Sequence, residues 1–234
     1  MDVYRTKTVV STGSTELDNK VGGGIPLGSL TLIEGGSHSG KSVFSQQLLW
    51  GSLRDGYRIS LFTSENTVKS LMRQMHSLNL DVQTNLLLSQ LRVYPMEVSN
   101  SQEAGLESLL GAIKYEAANE RDIIFVDALT PFISGSPASM IISYFEQCKR
   151  LCSNGTTVVT IIHSHAVDQD LLIRIQSLCD AHLRMRTENA GSKLIKIMEV
   201  AKIRGASKNT GNIISFEIEP GIGMRIIPIS KAQG

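Results

Sequence analysis

The residues with the clearest chemistry in this 234-residue chain are Gly35-Gly36-Ser37-His38-Ser39-Gly40-Lys41-Ser42. Their spacing is G-x-x-x-x-G-K-[ST], the pattern of a loop that cradles nucleoside phosphates. Gly35 and Gly40 bracket a turn whose backbone N–H groups can all point at phosphate oxygens. Lys41 then reaches the β- and γ-phosphates, and the Ser42 hydroxyl completes a Mg²⁺ shell. Val43 continues into a helical pattern, whose N-terminus adds partial positive charge at the same place. His38 is read as loop filler that offers only its backbone N–H.

A second set of candidates sits at strand ends. Ile123-Ile124-Phe125-Val126 closes on Asp127. An apolar run ending in an acid reads as a central parallel strand, and α/β sheets bind ligands at that end. Asp127 is therefore expected to meet Mg²⁺ through water, opposite Ser42. The strand expected over residues 58–63 runs into Ser64-Glu65-Asn66, and Glu65 is the one acid placed there to act on an attacking water. The run over 156–162 ends in His163-Ser164-His165. Those histidines are read as polar strand terminators.

These positions need alternating strands and helices to hold them, and the sequence supplies both. Leu30-Thr31-Leu32-Ile33 is a buried-type strand leading into the loop, and Val43, Phe44, Leu48 and Leu49 give the helix after it its apolar side. Gly56 stops that helix. Val68, Leu71, Met72 and Met75 fall on one stripe of a helix over 67–78. A short strand at 91–94 is stopped by Pro95. Leu106, Leu109, Leu110 and Ile113 place a helix over 103–118, and a further helix covers 143–152. Near the start, a short strand over 7–10 precedes a helix capped by Ser14. From 181 to 228 the pattern changes to short alternating runs around Glu188-Asn189-Ala190-Gly191, read as a hairpin turn, with later strands at 213–218 and 224–227. The expected fold class is α/β: a mostly parallel central sheet flanked by helices, with an antiparallel C-terminal extension, in one domain over 1–234.

Composition narrows the function. The formal charge is +1, so no strong field draws a polyanion. Residues 134–139 carry no cation, and 163–170 carry Asp168 and Asp170, so no nucleic acid is expected as a partner. Cys148, Cys152 and Cys179 are an odd set with no zinc spacing around them, and read as buried reduced thiols. The polar opening, Met1 to Lys7, does not read as a secretory signal, and no apolar run is long enough to span a bilayer.

Ser11-Thr12-Gly13, Leu17-Asp18 and Gly22-Gly23-Gly24-Ile25-Pro26-Leu27-Gly28-Ser29-Leu30 lead straight into the phosphate loop, and Lys202-Ile203-Arg204-Gly205 follows near the end. Together these resemble the RecA-like ATPases of the KaiC type, over about residues 8–229. Within that type the chain is similar to the ATP-binding components of archaeal flagellum (archaellum) motors. The resemblance implies ATP with Mg²⁺ as ligand, and a tendency to assemble into hexameric rings. It implies that Lys202 and Arg204 are nucleotide contacts that reach a neighbour's γ-phosphate; the residues alone leave open a solvent-facing edge-strand role. It also implies an archaellum motor ATPase, a membrane platform protein and a ring scaffold protein as partners, hence a cytoplasmic protein held at the inner membrane face through them. Where the KaiC type often carries two adjacent glutamates, this chain has Glu65-Asn66. Asn accepts no proton, so hydrolysis is expected to be slow or absent and the protein to act as a nucleotide-state switch. The alternatives are a KaiC-like ATPase or autokinase and, further off, a RecA/RadA-like recombination paralogue.

Overall fold

A computed structural model describes residues 8–97, 102–190 and 193–227. In chain order the elements are β1 (Val9–Val10), α1 (Thr15–Lys20), β2 (Ile25–Pro26), β3 (Leu30–Gly35), α2 (Lys41–Arg54), β4 (Ile59–Thr63) and α3 (Val68–Ser77). Then come α4 (Gln83–Leu87), β5 (Leu91–Pro95), α5 (Gln102–Ala118), β6 (Ile123–Asp127), α6 (Thr130–Ile133), α7 (Ala138–Ser153) and β7 (Thr157–His163). The chain continues with α8 (Gln169–Leu178), β8 (Ala181–Ala190), β9 (Lys193–Ile203), β10 (Ile213–Glu219) and β11 (Gly223–Ile227).

Among the described residues nine strands form one sheet in the order β11-β10-β9-β8-β3-β7-β6-β4-β5. From β8 to β5 neighbouring strands run parallel; from β8 outward to β11 they run antiparallel. Alternation along each central strand feeds two cores. Ile33, Phe125 and Val159 join the cluster built on α2, while Leu32, Val126 and Val158 join the cluster on α5, α7 and α8. A parallel strand covered on both faces is apolar throughout, which is why β6 and β7 read as unbroken hydrophobic runs.

Local signals account for several boundaries. The Ser14 side chain caps α1 by accepting from the Leu17 N–H, and Thr67 with Ser70 forms a capping box on α3. Cys148, Cys152 and Cys179 are all buried and free.

The structure departs from the sequence reading in three places. Glu188, Asn189 and Ala190, expected in a turn, are strand residues paired with Ile195, Leu194 and Lys193; Gly191 lies outside the described residues, as do residues 1–7. β8 and β9 extend far past the expected runs because each strand supplies the other's hydrogen bonds. Helix α7 starts at Ala138, five residues ahead of 143, and α4, α6 and α8 are additional short helices. In α8 the N-cap Asp168 accepts from the Leu171 N–H at 2.8 Å, a cap that had been weighed only as a charge.

Candidate nucleotide site

The site begins where β3 ends. A Cβ on Gly35 would run into the Met185 carbonyl oxygen of β8, so the close approach of two backbones requires glycine there. His38 and Gly40 take left-handed backbone angles, φ 60° and 94°. Such bends turn successive N–H groups inward as an anion-binding nest. Among the described residues nothing accepts from the N–H groups of residues 38–41, and α2 opens at Lys41 with no side-chain cap. Ser39 Oγ and Lys41 Nζ both donate to the Gly36 carbonyl, at 2.9 and 2.6 Å.

Lys41 is 6 % exposed. Burial holds its ammonium below the usual lysine range, and the Glu65 and Asp127 charges oppose that shift. No carboxylate of the described residues lies within ion-pair distance of it. A buried cation beside a row of unsatisfied N–H donors is a fit for polyphosphate.

The acids stand on the far side of Lys41. Ser42 Oγ donates to Asp127 Oδ1 at 3.3 Å. Asp127 is buried, and burial first, then the Glu65 charge, raises its pKa to about 7 against the Ser42 hydrogen bond and the Lys41 charge. A divalent cation at this corner would reverse that balance. No cluster of three or more His, Cys, Asp or Glu among the described residues makes a metal cage, so Mg²⁺ here would take its remaining oxygens from phosphate and water.

Glu65 is exposed and lines the cleft over the loop, with His163 Nε2 3.8 Å from its Oε1. Sequence reasoning had set His163 aside, because nothing in a single strand shows that the neighbouring strand end carries an acid. His165 lies outside that lining. Asn66 is held elsewhere: its N–H reaches Thr63 Oγ1 at 3.2 Å and its Oδ1 accepts from Ser70 Oγ at 3.1 Å.

The cleft has a volume of about 610 Å³ and is lined by residues 37–43 together with Glu65, His163, Gln74, Lys196 and Ile218. The last three were missed. For Lys196 a signal existed: it interrupts the apolar alternation that Met198 and Val200 continue on one face of β9.

Lys202 and Arg204 are not brought to this loop. Lys202 pairs with His182, which pairs with Leu32 of β3, three residues back from Gly35 and so about 10 Å away along the strand. Lys202 Nζ donates to the Gln176 carbonyl at 2.7 Å, and Arg204 lies 3.7 Å from Asp180. Nearby, Glu34 is 1 % exposed; His182 Nε2 lies 2.7 Å from its Oε1, and Gln176 and Arg184 donate to the same oxygen. Burial would raise the Glu34 pKa, but the His182 and Arg184 contacts outweigh it and hold the carboxyl below its ordinary range.

Comparison with known proteins agrees with this architecture. The family model described as "ATPase: KaiC" matches residues 10–231. The chain is 27 % identical over 228 residues to the archaeal flagellar ATP-binding protein FlaH of Sulfolobus acidocaldarius, spanning 96 % of this chain and 99 % of that one. It is 27 % identical to FlaH of Methanocaldococcus jannaschii over 218 residues, 90 % of this chain and 91 % of that one. The crystal structure of the Methanocaldococcus jannaschii flagellar accessory protein FlaH superposes with a TM-score of 0.82 at 24 % identity, covering 94 % of this chain and 99 % of that one. A KaiC-like protein of Pyrococcus horikoshii superposes at 0.76 with 18 % identity and the same coverage. With a RecA-like sheet, a phosphate loop at its centre and a family match over nearly its whole length, the chain belongs to the KaiC family of ATPases, and within it is most like FlaH.

Proposed function

We propose that this chain is the ATP-binding component of an archaellum motor: a single RecA/KaiC-like domain over 1–234 that binds MgATP, hydrolyses it slowly or not at all, and reports its nucleotide state to partners. The observation that carries the switch reading is the fate of Asn66. Its amide accepts from Ser70 in the first turn of α3 and Asn66 does not line the cleft, which leaves Glu65 as the acid among the described lining residues where an attacking water would stand.

In this reading the N–H groups of residues 36–43 and the Lys41 ammonium take the phosphates. Ser42 and Asp127 hold Mg²⁺, which offsets the charge of the β- and γ-phosphates. Glu65, at 43 % side-chain exposure, is solvated and polarises an attacking water only weakly. Bound triphosphate fixes the ends of β4, β6 and β7 around one ligand, and a partner protein that touches those loops reads the change. Lys202 and Arg204 lie clear of their own loop; to complete a neighbour's site in a hexameric ring they would exchange their contacts with the Gln176 carbonyl and Asp180 for that neighbour's phosphate. No helix among the described residues is long and apolar enough to cross a membrane. A cytoplasmic place at the inner membrane face then rests on the partners expected for a FlaH-like protein: the motor ATPase, the platform protein and the ring scaffold.

The test is capture of partners from cell extract with ATP and with ADP, alongside nucleotide affinity and turnover. Nucleotide-dependent partners, affinity lost in Lys41→Ala, and turnover far below about 1 s⁻¹ are expected. Identical partners in both states refute the switch. A second reading, a KaiC-like ATPase or autokinase, is favoured by the Glu65–His163 proximity; turnover at or above that rate, abolished by Glu65→Ala, establishes it instead.

A further inference from the structure

The sheet order gives the cleft a direction. Glu65, Asp127 and His163 end β4, β6 and β7, all on one side of β3, and with Ser42 they mark the end where a terminal phosphate and its metal belong. The nucleoside end then lies on the other side of β3, toward β9 and β10. There Lys196 and Ile218 line the same cleft. Lys196 shares its strand face with Met198 and Val200, the face packed on α2. Its stem passes over the loop: a Cβ on Gly40 would lie 3.2 Å from Lys196 Cδ. Lys196 is half-buried and forms no ion pair with any described residue, whereas Glu217 and Glu219 of β10 are both taken by Arg225. The ammonium thus borders the loop with no carboxylate of the described residues within ion-pair distance.

We propose that Lys196 is a second cationic contact for the nucleotide, one that approaches from the nucleoside side and binds the α-phosphate. This rests on the nucleotide reading above. The division of labour follows from position: Lys41 serves the β- and γ-phosphates, and Lys196 serves the phosphate that ATP and ADP share. It sets affinity for both nucleotides and contributes nothing to telling them apart.

The experiment is titration calorimetry of the full chain with ATP and with ADP, at low and moderate salt, for wild type, Lys196→Met and Lys196→Arg. Methionine keeps the apolar stem over Gly40 and removes only the charge; thermal melts confirm that each variant is folded. Lys196→Met is expected to weaken ATP and ADP by the same factor, about tenfold for one lost charge-assisted contact, with a shallower salt dependence. Lys196→Arg stays within about threefold of wild type, because a cation is retained. Unchanged affinity in Lys196→Met overturns the proposal. So does a loss confined to ATP, which would put the ammonium at the γ-phosphate, or an equal loss in both variants, which would make the role one of packing. Failure of the underlying reading looks different: Lys41→Ala would then bind ATP as wild type does, and both proposals fall.

Discussion

Asp127 is expected to make the metal-free protein less stable as pH rises, and Asn in its place to relieve that. Its carboxyl is buried, and its pKa stands at about 7 in the folded chain against an ordinary 3.8. A raised carboxylate pKa means the folded state favours the protonated form. The penalty is absent below pH 3.8, grows as pH climbs, and is complete above about 7. That gap corresponds to about 4 kcal/mol at pH 8, of which about 2 kcal/mol is already present at pH 5. Asn has nearly the same shape, does not titrate, and still offers an oxygen to Ser42. Urea unfolding of wild type and Asp127→Asn in EDTA, at pH 5, 6.5 and 8, reads the difference directly. The stability advantage of Asp127→Asn should widen by about 1–3 kcal/mol between pH 5 and 8. Titrating groups that do not interact with Asp127 cancel in the difference between the two proteins. Adding MgATP at pH 8 should reverse the order, because only the carboxylate gains from a divalent cation. A difference that stays flat or narrows with pH refutes the reasoning.

Two glycines should respond in opposite directions. A Cβ on Gly51 would meet the backbone of Ser11, Thr12 and Gly13 at under 3.0 Å, so Gly51→Ala should lose about 2 kcal/mol or more in chemical denaturation. Gly111, inside α5 with open space at its Cβ, should gain about 0.5–1 kcal/mol as Ala. The three thiols should be inert to a disulfide reagent in native buffer and react together on unfolding. All are buried, and burial pushes Cys148 and Cys152 up to about 12 and Cys179 higher still. A fast-reacting thiol in the native state would contradict the burial of α7 or of the α8 C-cap.

The loop between β3 and α2 was legible because its signal is local. Glycines, lysine and serine at fixed spacing between an apolar strand and a helix admit few other uses, and Asp127 at the end of an apolar run is equally local. The parallel order of the central strands was readable in outline from their uninterrupted apolarity. The long β8–β9 ribbon was not, since Glu188 and Asn189 look like turn residues until a partner strand claims their backbone groups. Nor could a single strand announce that His163 stands 3.8 Å from Glu65, because the two belong to different strand ends.

Lys196 and Lys202 mark the boundary most clearly. Strict alternation along β9 gives both even-numbered lysines the same face. In the folded sheet Leu183 pairs with Val200 while His182 pairs with Lys202, so Ala201 is an extra residue and the register shifts there. A bulge of one residue reverses which side every later side chain faces. Lys196 therefore looks toward α2 and the phosphate loop, and Lys202 toward α8, where it holds the Gln176 carbonyl. The kinds of residue available were written in the chain; which lysine faces the loop between β3 and α2 was decided by how two antiparallel strands meet.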